Sequence, residues 1–140
     1  MTMNEEATNF TWMLNSFVDQ TAGVSDAVAV SSDGLLMTMS SSLDRAAAEQ
    51  LAAIISGLVS LGKGTSTCFG FDGLDQVIVS MRRGFLLVSA ISDGSCLGTV
   101  ATKQADIGLV GYHMTMLVER AGRMLSPALV AELRNELLVS

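Results

Sequence analysis

The sequence predicts an α+β fold: a five-stranded antiparallel sheet with helices on both faces, in the order α-β-β-α-β-β-β-α plus a short C-terminal helix. Three observations predict it. Apolar residues recur at helical spacing in four stretches, and five short runs are apolar or alternating. Two pairs of those runs are separated by Asp33-Gly34 and Asp93-Gly94, dipeptides that adopt positive φ cheaply in tight hairpins. At 140 residues the chain suits one core, burying about two-thirds of its unfolded surface without metal or disulfide. Residues 1–125 read as that domain and 126–140 as a helical tail.

The first helix places Phe10, Met13, Leu14, Phe17 and Val18 on one face and ends near Gly23, which can close a helix in the left-handed conformation. The runs VSDAVAVS and LLMTMS form the first hairpin. Ser41 and Asp44 then resemble a capping box at the start of a second helix that runs to about Gly62. Three strands follow, LDQVIVSM, FLLVSAI and CLGTVA, with Arg82, Arg83 and Gly84 turning the first into the second. The run from Phe85 to Ile91 is apolar at nearly every position, so it belongs inside the sheet and not at an edge. Ile107, Val110, Met114, Leu117, Ala121 and Met124 recur at steps of three and four, the stripe of a third helix lying on the sheet. Ser126-Pro127 opens the tail helix, which carries Leu129, Leu133 and Leu137.

Composition excludes several functions. A net charge of −6 and a pI near 4.5 argue against nucleic acid, whose binding requires clustered cations. Cys68 and Cys96 form no CxxC motif and read as small buried hydrophobes, so neither a metal site nor a disulfide framework is expected. Glu5 and Glu6 stand where a secretory signal would be basic, and no run approaches eighteen consecutive apolar residues. A cytoplasmic protein without direct membrane insertion is expected. A hydrophobic fraction of 49% and mean hydropathy of +0.46 are high for a chain that meets only water.

The second helix explains that excess. One row presents Leu43, Ala47, Leu51, Ile54, Leu58 and Leu61, and an adjacent row presents Ala48, Ala52, Ile55 and Val59. A single sheet can cover one side of such a helix. If about 500 Å² stayed exposed, its removal from water would be worth roughly 12 kcal/mol at about 25 cal/mol per Å², against association costs of about 4–15 kcal/mol. Self-association through this helix is therefore expected, extended by edge pairing of residues 74–81. The expected contacts are Leu51, Ile54, Ile55, Leu58 and Val59 on the helix and Gln76 and Ile78 on the strand.

Candidate chemistry is sparse. The stretch from Gly57 through Gly62, Lys63 and Gly64 approaches the phosphate-cradling pattern GxxxxGK[ST], but Gly64 supplies no hydroxyl for Mg²⁺ and the segment sits at a helix end instead of a helix start. His113 stands alone, without an acid or nucleophile at motif spacing. Arg82 and Arg83 could meet an acidic partner or reach a nucleotide, although charge at a hairpin tip needs no function. No catalytic set and no cofactor or metal site is expected, and the nine methionines read mainly as core filler.

These residues resemble the bacterial branch of the roadblock/dynein light-chain family over most of the chain. The resemblance is carried by FVDQTAGVSDAVAVSSDGLLM, AEQLAAIISGLVSLGKG, QVIVSMRRGFLLVSA, SDGSCLGTV and ADIGLVGYHMTMLVER followed by LSP. Gly62, Phe85 and Arg82 depart from residues common in relatives, which are alanine, tyrosine and a more acidic turn. The resemblance implies a roadblock/profilin-like α/β sandwich that dimerises by joining sheets across the third strand and packing the second helices together. It implies a non-enzymatic regulator or scaffold whose partner is a Ras-like small GTPase, in some relatives within a sensor histidine kinase complex. The competing reading is a small-ligand sensory domain of the PAS or GAF kind, which would concentrate convergent polar groups inside an apolar cavity.

Overall fold

The computed structural model describes residues 2–139. Along the chain run α1 (Met3–Gln20), β1 (Val24–Val30), β2 (Leu36–Met39), α2 (Arg45–Phe69), β3 (Gln76–Met81), β4 (Gly84–Ala90), β5 (Cys96–Thr102), α3 (Ile107–Met124) and α4 (Pro127–Val139). The element order is the expected one. All five strands pair antiparallel in the order β2-β1-β5-β4-β3, so the apolar strand β4 is internal and β2 and β3 are the two edges.

Alternation along each strand sorts the side chains into two cores. Ala27 and Ala29 of β1, Leu87 of β4, and Leu97 and Ala101 of β5 meet α1, α3 and α4 on one face. Val28 and Val30, Leu86 and Val88, and Cys96 meet α2 on the other. Both faces of β1, β4 and β5 are thus covered, which is why those strands read as nearly continuous apolar runs.

Each helix begins at a side-chain oxygen that accepts an otherwise orphaned backbone N–H. Thr2 accepts from Glu5 at 3.1 Å, Asp44 from Ala47 at 2.7 Å, Asp106 from Leu109 at 3.1 Å and Ser126 from Leu129 at 3.1 Å. The start of α2 differs from expectation. Ser41 does not cap it: the helix starts at Arg45 with Asp44 as its cap, while the Ser41 N–H donates to Asn15 Oδ1 at 2.8 Å and a turn closes from Leu43 N–H to Ser40 O.

The end of α2 differs more. Gly62 does not stop the helix, which continues to Phe69 and closes at Gly70 with φ 66°. A glycine inside a helix costs about 1 kcal/mol and breaks nothing. Here Leu74 folds over Gly62, and the buried Ser66 hydroxyl accepts from Gly73 N–H at 2.7 Å, tying the following loop back to the helix.

Residues of the expected tail join the core. Leu129 and Leu133 of α4 are buried with α1 and α3, while Leu137 packs on the α2 side. Arg134 pairs with Asp33 at 3.1 Å, and the Arg45 guanidinium donates to Leu137 O.

Candidate functional site

Seating α2 on the sheet decides which of its two apolar rows is available. Ala48, Ala52, Ile55 and Val59 face the sheet and are buried. The close approach depends on Gly98 at the middle of β5, where a Cβ would stand 2.2 Å from Ile55 Cδ1. Leu51 and Leu58 are half-buried and pack at the margin of the same core as Leu74 and, from β3, Val77 and Val79. Ile54 keeps 49% of its surface exposed and Leu61 73%.

Two expected contacts are therefore corrected. Ile55 is 0% exposed and Val59 is buried, so both belong to the core formed by the chain's own sheet and cannot meet a second molecule. The remaining five form one margin of the molecule: Leu51, Ile54 and Leu58 on α2, and Gln76 and Ile78 on the edge strand β3. Val77 and Val79 turn toward the α2 side, whereas Ile78 turns to the opposite face and is 50% exposed.

Sequence reading missed how far this margin extends. The added turns of α2 carry Phe69, which follows Leu61 and Thr65 at steps of four, and its ring stacks on Phe71 with centroids 5.6 Å apart. Both rings are exposed. The i, i+4 spacing was present in the sequence, but a helix ending at Gly62 hid it. By length and composition α2 could cross a membrane; in this fold its inner row is packed on the sheet.

Arg82 and Arg83 form the whole β3–β4 turn and are exposed. Beside them the Lys103 ammonium donates to Ser80 Oγ at 2.8 Å and lies 4.2 Å above the Phe85 ring centroid. At the other end of β3, Asp72 and Asp75 are exposed.

No catalytic arrangement is assembled by the other candidates. His113 lies edge-on to Tyr112, 5.5 Å between centroids, on the outer part of α3. Gly57, Gly62 and Gly64 lie within α2, where the backbone N–H groups serve the helix and cannot cradle phosphate. Cys68 is exposed, contrary to expectation, while Cys96 is buried and its thiol is pushed up by desolvation, only partly opposed by Lys63. Among the described residues no group of three His, Cys, Asp or Glu side chains could hold a metal ion.

The sensory reading requires an interior cavity. The void enclosed between α1, α3 and the sheet is lined by apolar side chains such as Phe10, Leu14 and Leu97, and has room for about one water at ≈ 10 Å³. Among the described residues, Thr99 Oγ1 is the one buried side-chain polar atom without a partner. The interior is filled, and the convergent polar groups of a ligand pocket are missing from that void.

A filled α/β sandwich with one edge strand and one helix row uncovered has the roadblock/profilin-like fold. More narrowly, the chain belongs to the Roadblock/LC7 domain family, whose model matches residues 10–101. It is 35% identical to a Roadblock/LC7 domain from Streptomyces avermitilis, with a TM-score of 0.76 over 79% of this chain and 92% of that one. Myxococcus xanthus MglB superposes with a TM-score of 0.77 at 13% identity, over 84% of this chain and 94% of its own. A structure of MglB in a tetrameric arrangement superposes at 0.78 with 16% identity, covering 88% and 92%. At those identities the two MglB structures bear on the fold alone. No curated protein matches the chain in sequence.

Proposed function

We propose that this chain is a non-catalytic regulatory module of the cytoplasm that pairs with a second copy along α2 and β3 and, so paired, binds and modulates a Ras-like small GTPase. The observation that carries the reading is the family match over residues 10–101, which spans both elements of the uncovered margin. The GTPase is the partner that the family resemblance implies. The physical support for pairing is the margin itself: Ile54, Leu61, Phe69 and Ile78 are large apolar residues left in water on adjoining elements. Regulation without catalysis fits a domain whose only histidine and two cysteines are scattered, since a docking surface can reposition a GTPase's own residues without supplying any.

The test uses the full chain and a Ras-like GTPase copurified from the same cell, loaded with GDP or with a non-hydrolysable GTP analogue. Calorimetry should detect binding that favours one nucleotide state, and phosphate release should change when the chain is added. Absence of binding in both states would remove the GTPase from the proposal.

A further inference from the structure

We propose that the groove between α1 and α3, on the face of the sheet opposite α2, binds an acidic amphipathic helix of a partner protein. This docking site depends neither on pairing along α2 and β3 nor on the GTPase.

Gly23, just after α1, lies against Ala105, just before α3, where a Cβ would stand 2.4 Å from the Ala105 Cβ. The two helices therefore run antiparallel across the sheet. Trp12, Ser16 and Gln20 recur at steps of four along one wall of the groove between them, and His113, Met116 and Arg120 at steps of three and four along the other. The groove is open, has a volume of ≈ 350 Å³, and is floored by apolar side chains such as Phe17 and Leu117.

The residues left in water here are of the types that anchor protein contacts. The chain has one tryptophan and one tyrosine, and both are exposed on this face: Trp12 by 63%, and Tyr112, flanking the α3 wall, by 60%. Met116 is exposed between them. Tryptophan, tyrosine, methionine and arginine are enriched at interfaces, and truncating the aromatics or arginine there costs the most affinity. The family model ends at residue 101, so the α3 wall lies beyond the matched residues.

Charge and geometry name the occupant. In a chain of net charge −6, the ionisable side chains that line the groove are His113 and Arg120. Asp19 and Glu119 are exposed but take no part in the lining. The ion pairs among the described residues are Arg45 with Glu49 and Arg134 with Asp33, so Arg120 has no carboxylate of its own. A partner that places carboxylates beside Arg120 is complementary, and a basic one is repelled. Both walls are helices whose backbone groups are bonded internally, so an extended segment finds no strand edge to join. A helix needs only side-chain ridges, and rows spaced by three and four residues accept another helix at an interaxial distance of about 8–10 Å.

The test follows Trp12 fluorescence in the full chain, where no second tryptophan interferes. The probes are three tryptophan-free peptides of about eighteen residues, long enough to hold a helix: an amphipathic helix with leucines on one face and glutamates beside them, its twin with lysines for glutamates, and the acidic peptide broken by a central proline. The acidic helix should move Trp12 emission to shorter wavelength and, by calorimetry at low salt, bind about tenfold more tightly than the lysine twin. That preference should shrink in about 0.5 M salt. The proline-broken peptide should not bind. Arg120→Glu should reverse the order of the acidic and lysine peptides, and Trp12→Ala should weaken the acidic one about tenfold or more. Circular dichroism verifies that both variants fold, and Ile54→Ala, on the opposite face, should leave every titration unchanged. The proposal falls if no peptide binds, if the acidic and lysine peptides bind alike, or if Arg120→Glu leaves their order intact. It falls also if Trp12 emission shifts on phosphatidylglycerol vesicles and on none of the peptides, which gives the face to a membrane. Dissociation of the wild-type assembly by Trp12→Ala in sedimentation equilibrium would overturn it as well, by giving the groove to a second copy.

Discussion

Ile54 and Ile55 are neighbours in sequence with opposite surroundings, and truncating each to alanine should separate folding from assembly. Ile55 is 0% exposed, with its Cδ1 over Gly98 at the sheet centre. Ile55→Ala opens a cavity there and should cost about 3 kcal/mol, within the range of about 2–5 for buried aliphatic truncations. At roughly 3 °C per kcal/mol for a chain of this size, Tm should fall by about 10 °C. Ile54 still exposes 49% of its surface. Burying an isoleucine completely is worth about 1.5–3 kcal/mol, so the half that remains contributes about 1 kcal/mol per copy on pairing. Two copies make about 2 kcal/mol, or roughly a 30-fold weaker dimer for Ile54→Ala. Sedimentation equilibrium reads the dimer and thermal unfolding reads the fold. Pairing itself raises an apparent Tm by mass action, so melts are compared across concentrations. Ile55→Ala should lower Tm by about the same amount throughout, and Ile54→Ala only where wild type is paired. An Ile54→Ala chain that retains the wild-type dissociation constant, or an Ile55→Ala chain that melts with wild type, would refute the assignment of the two faces.

Gly98→Ala pushes a methyl group into the space of Ile55 Cδ1 and should cost about 1–3 kcal/mol; combined with Ile55→Val, which removes that carbon, the total should be less than the sum, and strict additivity in a double-mutant cycle would show that the contact does not limit the packing of α2. A thiol-specific reagent at pH 8 should label the exposed Cys68 quickly and the buried Cys96 only on unfolding, so two fast thiols per chain would contradict the buried position. Because burial raises the Cys96 thiol, its contribution to stability is complete below the ordinary thiol range and is lost as pH rises through that range toward the higher folded value. Asp33 has the opposite sign: the Ser31 hydroxyl first, then the Arg134 guanidinium, hold its carboxyl below the ordinary aspartate value, so its contribution is present above that value and is lost as pH falls through the folded one. An NMR titration should show Ser31→Ala and Arg134→Met each raising the Asp33 midpoint, and a midpoint unmoved by either substitution would show that the residue replaced does not hold the carboxylate down.

The fold was legible where its causes are local. Gly34 and Gly94 adopt the positive φ that their dipeptides imply, and β4 is internal because its residues are apolar on both faces. The length of α2 was not legible, since what sustains it past Gly62 is Leu74 folding over that glycine and Ser66 tying down Gly73, contacts made by the loop beyond the helix. Its orientation was only half legible. Two adjacent apolar rows were apparent, but the row that meets the sheet is chosen by Gly98, about forty residues away and recognisable as a packing partner only in the folded chain. One local signal does point the right way: the inner row carries Ala48 and Ala52 where the outer row carries Leu51 and Leu58, and small side chains allow a helix to approach a sheet closely.

The two sheet edges are treated differently, and that difference bears on the size of the assembly. β2 is short, its pairing with β1 shifts register between Ala29 and Val30, and α4 packs against it. α4 is fastened through its C-terminal half, by Arg134 to Asp33 in the β1–β2 turn and by Arg45 to Leu137 O, with Leu129 and Leu133 in one core and Leu137 against the other. An edge so encumbered is a poor template for another strand. β3 has no such cover. A sheet open at both edges could add copies without end, whereas one open at a single edge reaches closure when two copies meet edge to edge across a two-fold axis. The C-terminal helix thus acts on assembly from the side opposite the contact, by leaving β3 as the more available edge.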